Sequence, residues 1–312
     1  MMKKLFVMFA LFMLGLCCGA KELKVLMVGN SFSQSVLTYL PSIVKADPEN
    51  SLKLGQCMIG GCSMERHCME FAKTEKDPNH RPYSTNLKFP GRKNDRASLQ
   101  ELLTADKWDI VTIQQASHLS WRLESYAYAD KLIGIIRKLV PQAEIVVQQT
   151  WAYRLDDERI TSPEKRWKIG QRGMYDRLTA NYMKLAKENH FRVIPTGYAV
   201  QLTREKSPVK FKLYDPAILD TLQPPALPDQ KGDVVGAMWW GPDRKTGKTI
   251  IRKDTIHLNK EGEYLQACVW YMFLFGKKAS DVKFVPKNFT GDAEFLAKCA
   301  EEAVSEFPQV TR

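Results

Sequence analysis

The chain has 312 residues, of which 44% are hydrophobic and 26% charged, with 18 glycines and 16 prolines. This balance excludes a largely disordered, collagen-like or coiled-coil protein, and it supplies a core large enough for an α/β domain that needs no disulfide or metal. The formal net charge is +11, but the basic residues are dispersed and no nucleic-acid-binding motif accompanies them, so the excess indicates solubility or an acidic polymer substrate rather than a nucleic-acid partner.

The N-terminal segment has the pattern of a secretory signal. Two lysines precede an apolar run from Leu5 to Leu16, which is shorter than the roughly 20 residues that span a membrane. The small residues of Cys18-Gly19-Ala20 then offer a cleavage site, so residues 1–20 are predicted to be removed and residues 21–312 to form one domain. Lipidation of Cys17 or Cys18 is the alternative. Either route predicts an exported protein that is periplasmic, secreted or lipid-anchored, with no membrane span.

Short apolar runs and helical spacings alternate along the rest of the chain. The apolar runs predict five buried strands: Leu23–Val28, Leu52–Ile59, Trp108–Ile113, Glu144–Val147 and Phe191–Ile194. Helical spacing of apolar residues predicts a helix after the first strand and four later ones: Tyr126–Val140, Gly173–Asn189, Glu261–Phe275 and Ala293–Phe307. This order predicts a mainly parallel sheet with helices on both faces.

Two polar, proline-containing segments interrupt the alternation. Residues 74–96 are predicted to be a long surface loop. Residues 207–253 carry six prolines and are predicted to form an insertion, in which Val234–Trp240 and Thr249–Arg252 pair as a hairpin. Long insertions beside a parallel sheet often serve function.

Five cysteines follow the signal segment, and export permits disulfides among them. The sequence does not choose a pairing, and an odd number leaves at least one cysteine unpaired within the chain. Their spacings lack the paired short cysteine motifs of zinc sites, so buried thiols are expected and no metal or cofactor is predicted.

Two chemical motifs lie near the ends of the chain. Ser31 follows the first predicted strand, where ligands bind in open α/β sheets; a serine there can act as a nucleophile or simply cap the next helix. Asp254 and His257 stand three residues apart, as a base and its orienting carboxylate can, although a surface turn has the same pattern. An early serine and a late Asp-x-x-His together favour a catalytic triad.

These motifs resemble the blocks of the SGNH (GDSL-type) hydrolases, in order and over most of the mature chain. The matching residues are Gly29-Asn30-Ser31-Phe32-Ser33, Gly60-Gly61 and Asp254-x-x-His257-Leu258-Asn259. The first block, GNSFS, is that of an exported branch of the superfamily. The resemblance implies a flavodoxin-like three-layer α/β/α sandwich and ester hydrolysis without metal. It also implies that Ser31 is the nucleophile, His257 the base and Asp254 its partner, with the backbone N–H groups of Ser31 and Gly61 as oxyanion donors.

The third block departs from that family. The superfamily usually has G-x-N-D after the third strand, with the asparagine completing the oxyanion hole, whereas this chain reads Gln114-Gln115-Ala116-Ser117-His118. Because a glutamine amide can donate the same hydrogen bond, Gln115 is predicted as the third donor, and Gln114 is the next candidate. The alternative is that both amides only cap strand ends.

Aromatic residues in the loops indicate the substrate. Trp151 follows the fourth strand and Trp239 and Trp240 lie in the insertion; all three are predicted to stack on sugar rings, with ordinary packing as the alternative. The predicted function is therefore an exported serine esterase that removes O-acetyl groups from a carbohydrate. An esterase or lipase for another acyl ester, a non-catalytic glycan-binding protein and a structural envelope protein remain open. The expected partner is a small-molecule or polysaccharide ester, and the oligomeric state is open.

Overall fold

The computed structural model describes residues 22–92, 95–161 and 167–310. The predicted signal segment and its two cysteines lie outside the described residues. No helix in the described part of the chain is long and apolar enough to cross a membrane.

The central sheet has seven strands in the order β4-β3-β2-β1-β5-β6-β7. These strands are β1 (Glu22–Gly29), β2 (Ser51–Met58), β3 (Tyr83–Ser84), β4 (Arg96–Ala97), β5 (Ile110–Ile113), β6 (Glu144–Gln148) and β7 (Val193–Ile194). Strands β2, β1, β5, β6 and β7 run parallel, while β3 and β4 add an antiparallel edge. Residues 74–96 are therefore not wholly a loop as predicted; two-residue strands are too short to leave a periodic signal.

Ten α-helices in the described residues connect or cover the strands. They are α1 (Ser31–Gln34), α2 (Val36–Lys45), α3 (Met64–Lys76), α4 (Leu99–Thr104), α5 (Ala129–Leu139), α6 (Glu158–Thr161), α7 (Gln171–Asn189), α8 (Thr196–Lys206), α9 (Lys260–Phe275) and α10 (Ala293–Glu306). One layer is formed by α2, α8, α9 and α10, and α3 packs with α4 and α5 in the other.

The sheet order explains these two layers. Strand β1 has β2 on one side and β5 on the other, so right-handed crossovers send the connecting helices to opposite faces. The central strands are sealed on both faces, and Val25–Val28 and Ile110–Ile113 are almost fully buried. The predicted three-layer α/β/α sandwich with a mainly parallel sheet is confirmed.

The insertion carries a separate two-stranded sheet, β8 (Val235–Pro242) and β9 (Thr249–Leu258). Strand β9 is longer than the predicted Thr249–Arg252 because it continues through the Asp-x-x-His motif. This extension brings Asp254 and His257 over the carboxyl end of the central sheet, and the register pairs Asp254 with Ala237.

Candidate active site

Ser31 is positioned by the turn that joins β1 to α1. The Asn30 side chain caps α1 by accepting a hydrogen bond from the Phe32 N–H at 3.1 Å, and the Ser33 hydroxyl donates to the Asn30 carbonyl at 2.8 Å. A side chain at Gly29 would place its Cβ 2.6 Å from Ser33 Oγ, so the turn requires glycine there. Ser31 is left half-buried, at the start of the helix, with its hydroxyl facing β9.

Ser31, His257 and Asp254 form one chain of hydrogen bonds. His257 Nε2 lies 2.8 Å from Ser31 Oγ, and His257 Nδ1 lies 2.7 Å from Asp254 Oδ2. The other carboxylate oxygen, Oδ1, accepts the backbone N–H groups of Ile256 and His257 at 2.9 and 3.0 Å. The carboxylate is therefore fixed by its own turn, and it holds the imidazole toward the serine.

Asp254 is ionised in this arrangement. Burial opposes ionisation, but the hydrogen bond from the His257 ring and the two backbone N–H groups outweigh it and lower the Asp254 pKa to about 2. An ionised carboxylate accepts the proton on Nδ1, which leaves the Nε2 lone pair directed at the Ser31 hydroxyl. The geometry can thus deprotonate the serine as it attacks.

Aromatic rings pack against the His257 imidazole. The Phe32 ring stacks on Trp151 with centroids 4.1 Å apart and meets the His257 ring edge-on at 5.5 Å. Trp151 is fully buried, and its indole N–H donates to the Ile256 carbonyl at 2.8 Å. Trp151 therefore does not face a substrate, contrary to the prediction: the short loop after β6 runs under β9, where the large ring fills the core.

The two other tryptophans lie farther along the hairpin. Trp239 is 45% exposed and pairs with Arg252, two positions along β8 from Ala237, which pairs with Asp254. Trp240 is partly exposed and donates its indole N–H to the Ala226 carbonyl at 3.0 Å. Trp239 is thus available at the surface, whereas Trp240 also braces the insertion.

The first and second blocks are joined beside the serine. The Asn30 amide donates to the Cys62 carbonyl at 3.1 Å, which holds the loop that carries Gly61 against the turn that carries Ser31. Gly61 is exposed and has a φ of +61°, a conformation that favours glycine. The Ser31 N–H belongs to the first turn of α1, where N–H groups have no partner within the helix. Both remain the predicted oxyanion donors.

The glutamines of the third block do not supply the predicted third donor. The fully buried Gln115 amide donates to the carbonyl and the hydroxyl of Ser125, while its Oε1 accepts the N–H groups of Met64 and Ala116. The Gln114 amide donates to Asn30 Oδ1 at 2.7 Å. Both amides are taken up by these contacts, so both residues brace the loops around Ser31.

The loop after β6, which also carries Trp151, borders the triad. Residues 149–159 follow β6, and their Arg154 N–H donates to the Thr255 carbonyl at 2.9 Å. The Thr255 hydroxyl donates to Asp157 Oδ2 at 2.6 Å, and Asp157 in turn binds Arg159. These residues are far apart in sequence and match no motif, so only the packing of β9 on this loop reveals them.

Other polar groups and cavities do not add to this site. Among the described residues, no group of three or more His, Cys, Asp or Glu side chains could hold a metal ion. Cys57, Cys62, Cys68, Cys268 and Cys299 are buried free thiols. A cavity of about 750 Å³ lies apart from Ser31, between the insertion and the starts of α9 and α10.

Comparisons with known proteins place the chain in a family and agree with the fold. A family model described as "Domain of unknown function (DUF4886)" matches residues 24–211. A solved DUF4886 family protein from Bacteroides uniformis is similar to this chain, with 26% identity over 93% of this chain and 98% of its own and a TM-score of 0.69. No curated protein matches the chain in sequence.

Two further solved structures are more distant. A candidate SGNH hydrolase from Slackia heliotrinireducens is 16% identical, covering 80% of this chain and 97% of its own, with a TM-score of 0.44. A candidate GDSL-like lipase from Parabacteroides merdae is 13% identical, covering 82% and 96%, with a TM-score of 0.45. The resemblance to SGNH hydrolases extends to these structures, but TM-scores below 0.5 carry no chemistry over to this chain.

Proposed function

The chain belongs to the DUF4886 family, and we propose that it is a serine esterase in which Ser31, His257 and Asp254 form the catalytic triad. The observation that carries the proposal is the continuous chain of hydrogen bonds from Ser31 Oγ through the imidazole to an ionised carboxylate. A helix-capping serine and a surface turn would not require Ser31 to align with an Asp-His pair that lies more than 220 residues later in the chain.

The geometry supports a two-step hydrolysis. Ser31 Oγ attacks the ester carbonyl carbon while His257 Nε2 takes its proton, and the N–H groups of Ser31 and Gly61 receive the oxyanion. The C–O bond to the alcohol then breaks, and His257 returns the proton to the departing alcohol. Water next attacks the acyl-serine with His257 again as base, which releases the acid and restores Ser31.

The number of oxyanion donors limits the expected rate. Each such donor contributes roughly 3 kcal/mol of transition-state stabilisation, and neither buried glutamine amide is directed to that role. We therefore expect an esterase that depends on two backbone donors and on tight substrate positioning.

We propose an O-acyl carbohydrate, with acetyl as the acyl group, as the substrate. The His257 side chain is 39% exposed and Asp254 29%, so the triad lies at an open surface that a polymer can reach. Trp239 offers an exposed aromatic face on the same hairpin. A lipase would need a long apolar groove beside Ser31, and the lining of the 750 Å³ cavity does not include Ser31.

Export belongs to the same proposal, with residues 1–20 as the signal and residues 21–312 as the mature enzyme. A polysaccharide substrate outside the cytoplasm is consistent with such a signal.

One observation favours a second candidate. Because the third block supplies no side-chain donor, a glycan-binding protein on a hydrolase scaffold would also have the buried Gln115 contacts. Binding without turnover would then be insensitive to the serine.

Acetate release tests the proposal. Mature wild type, Ser31→Ala and His257→Ala are assayed on 4-nitrophenyl acetate and on acetylated polysaccharides at about pH 8, with Ser305→Ala as a control because Ser305 is an exposed serine on α10. Release by wild type and Ser305→Ala, but not by the two active-site variants, is expected. If folded wild type releases no acetate, and wild type and Ser31→Ala bind a polysaccharide with equal affinity, the chain would be a glycan-binding protein instead.

A further inference from the structure

A cluster of cationic and aromatic side chains lies beside the triad, at the carboxyl ends of β5 and β6. We call it the cationic rim and define it as His118, Arg122 and Arg159. Arg159 stacks over Tyr153 at 4.5 Å, and Arg122 stacks over Trp121 at 4.7 Å. His118 is exposed in the β5–α5 connection; partial burial and the positive charges of Arg159 and Arg122 lower its pKa, so it joins the rim as a neutral hydrogen-bonding group while the two arginines supply the charge.

Arg159 is connected to β9 through Asp157. Its Nε and Nη2 bind the two oxygens of Asp157 at 2.8 and 2.5 Å, and Asp157 also accepts the hydroxyl of Thr255, the residue after Asp254. The pKa of Arg159 is raised, chiefly by the hydrogen bond with Asp157 and also by the charge of Asp254. The guanidinium is thus held at a fixed place within electrostatic range of the catalytic carboxylate.

The same geometry leaves a recognition edge of Arg159 open. Asp157 uses one side of the planar guanidinium and is only 3% exposed, whereas the Arg159 side chain is 27% exposed. Nη1 has no hydrogen-bond partner among the described residues. Since a guanidinium can bind two carboxylates along two edges, the edge formed by Nη1 and Nη2 remains available to a planar anion.

Arg122 adds a charge that no carboxylate of the described residues pairs with. No ion pair joins it to any residue of the described ranges, and its Nε is buried without a partner while its ring contact with Trp121 fixes its direction. A buried, unpartnered guanidinium nitrogen is costly, and an anion bound to the same guanidinium would offset part of that cost.

We propose that the cationic rim binds a carboxylate of the substrate, so that the ester cleaved at Ser31 is carried by, or lies next to, a uronic acid unit of the carbohydrate. This inference rests on the proposed esterase function and specifies its substrate. The aromatic faces of Tyr153 and Trp121 direct the two guanidinium groups, and the carboxylate takes the position opposite Asp157. The net charge of +11, which the triad chemistry does not use, agrees with an acidic polymer.

Matched acetyl esters test the substrate class. The substrates are an O-acetylated methyl glucuronoside as the free acid and the same sugar as its neutral methyl ester, which replaces the charge with one methyl group; acetate release is measured, so cleavage of the methyl ester itself is not counted. Wild type is expected to favour the acid by about tenfold in kcat/KM, mainly through KM, because charge-assisted hydrogen bonds exceed neutral ones. The preference should fall as ionic strength rises from about 0.05 to 0.5 M.

Variants separate the rim from the general charge of the protein. Arg122→Gln and Arg159→Lys, which keeps a cation for Asp157 but loses the planar edge, are each expected to reduce the acid preference at least threefold. Lys138→Gln removes a charge from an exposed position at the far end of α5 and should leave the preference unchanged. Equal kcat/KM for acid and methyl ester in wild type, or equal loss in Lys138→Gln, would overturn the inference.

Binding tests the rim even if no ester is hydrolysed. Titration of Ser31→Ala with trigalacturonate and with its methyl ester should show tighter binding of the acid, and adding Arg122→Gln should remove that difference. Hydrolysis of neutral esters with no acid preference would refute the rim and leave the esterase intact. Acid-selective binding without any hydrolysis would refute the esterase and leave the rim intact.

Discussion

Polar residues lie on two sides of Ser31, and the two sides differ in access to solvent. On one side β9 presents Asp254 and His257, whose side chains are 29% and 39% exposed, in direct line with the serine. On the other side, Gln115 after β5 and His67 on α3 are completely buried. Each side has an imidazole, but only the one on β9 can meet a substrate.

On the buried side, Gln115 and His67 have structural contacts. Gln115 bridges Met64 to Ser125, and the His67 ring stacks on Tyr83 with Nδ1 3.0 Å from its hydroxyl. These contacts hold the loops that frame the serine. A polar residue after a parallel strand is therefore a candidate for chemistry only when the chain above it leaves it open.

The largest expected effect comes from a change on the exposed side, at the Asp254–His257 hydrogen bond. Asp254→Asn keeps the size of the side chain but removes the charge that fixes the proton on His257 Nδ1, so kcat should fall roughly 10³- to 10⁴-fold. Steady-state kinetics on 4-nitrophenyl acetate, with circular dichroism to show that the fold is kept, measures this. A fall of less than tenfold would contradict the role of the carboxylate.

The next effect is a pH dependence on the buried side. Burial, assisted by the charge of Arg66, lowers the pKa of His67 to about 3, whereas an unfolded histidine titrates near 6.5. Below pH 6.5 the unfolded chain therefore binds a proton at His67 that the folded chain does not bind. This one group lowers the free energy of unfolding by about 1.4 kcal/mol per pH unit, down to about pH 3.

Replacing His67 tests this linkage. In His67→Gln the decline between pH 6.5 and 4.5 should be shallower by about 2–3 kcal/mol in total, as urea denaturation at several pH values would show. His118→Gln serves for comparison: partial burial and the charges of Arg159 and Arg122 also lower the pKa of His118, but by less, so this variant should change the slope less. Parallel curves for wild type and His67→Gln would show that His67 is not held neutral.

A smaller effect distinguishes a brace from an oxyanion donor. Gln115→Ala strands the N–H groups of Met64 and Ala116 and should cost about 1–3 kcal/mol in the free energy of unfolding. Because its amide does not face Ser31, kcat should fall by less than the roughly 10²- to 10³-fold that loss of an oxyanion donor causes. A large loss of kcat with unchanged stability would reinstate Gln115 as the donor.

The smallest effect concerns the exposed end of the hairpin. Trp239→Ala should change the free energy of unfolding by no more than about 0.5 kcal/mol, since Trp239 is 45% exposed. The substitution should raise the KM for acetylated polysaccharide by up to about tenfold, while the KM for 4-nitrophenyl acetate should change little. Equal changes for both substrates would argue against a sugar-stacking role.

The sequence predicted the features that local patterns encode. Strand β1 and helix α7 have strong apolar patterns and lie close to the predicted bounds, and the turn after β1 follows from Gly29 and Asn30. The short strands β3 and β4 carry no period, and helix α8 has a weakly amphipathic sequence, so these elements depend on tertiary contacts.

The candidate site divides in the same way. Ser31, Asp254 and His257 could be selected because they belong to spaced motifs, and the structure places them in contact. The directions of Gln115 and Trp151 could not be predicted, since they depend on which loop covers each strand end. Arg159 was missed because Asp157 and Thr255, which hold it, are 98 residues apart.

The most direct test of the triad is covalent labelling of the serine. A fluorophosphonate reacts when the serine oxygen attacks phosphorus and fluoride leaves, so it reports an activated hydroxyl without knowledge of the natural substrate. Intact-protein mass spectrometry and peptide mapping should show one label on Ser31 in wild type, greatly slowed labelling in His257→Ala and none in Ser31→Ala. Folded wild type that remains unlabelled, or that is labelled at another residue, would contradict the assignment of Ser31 as the nucleophile.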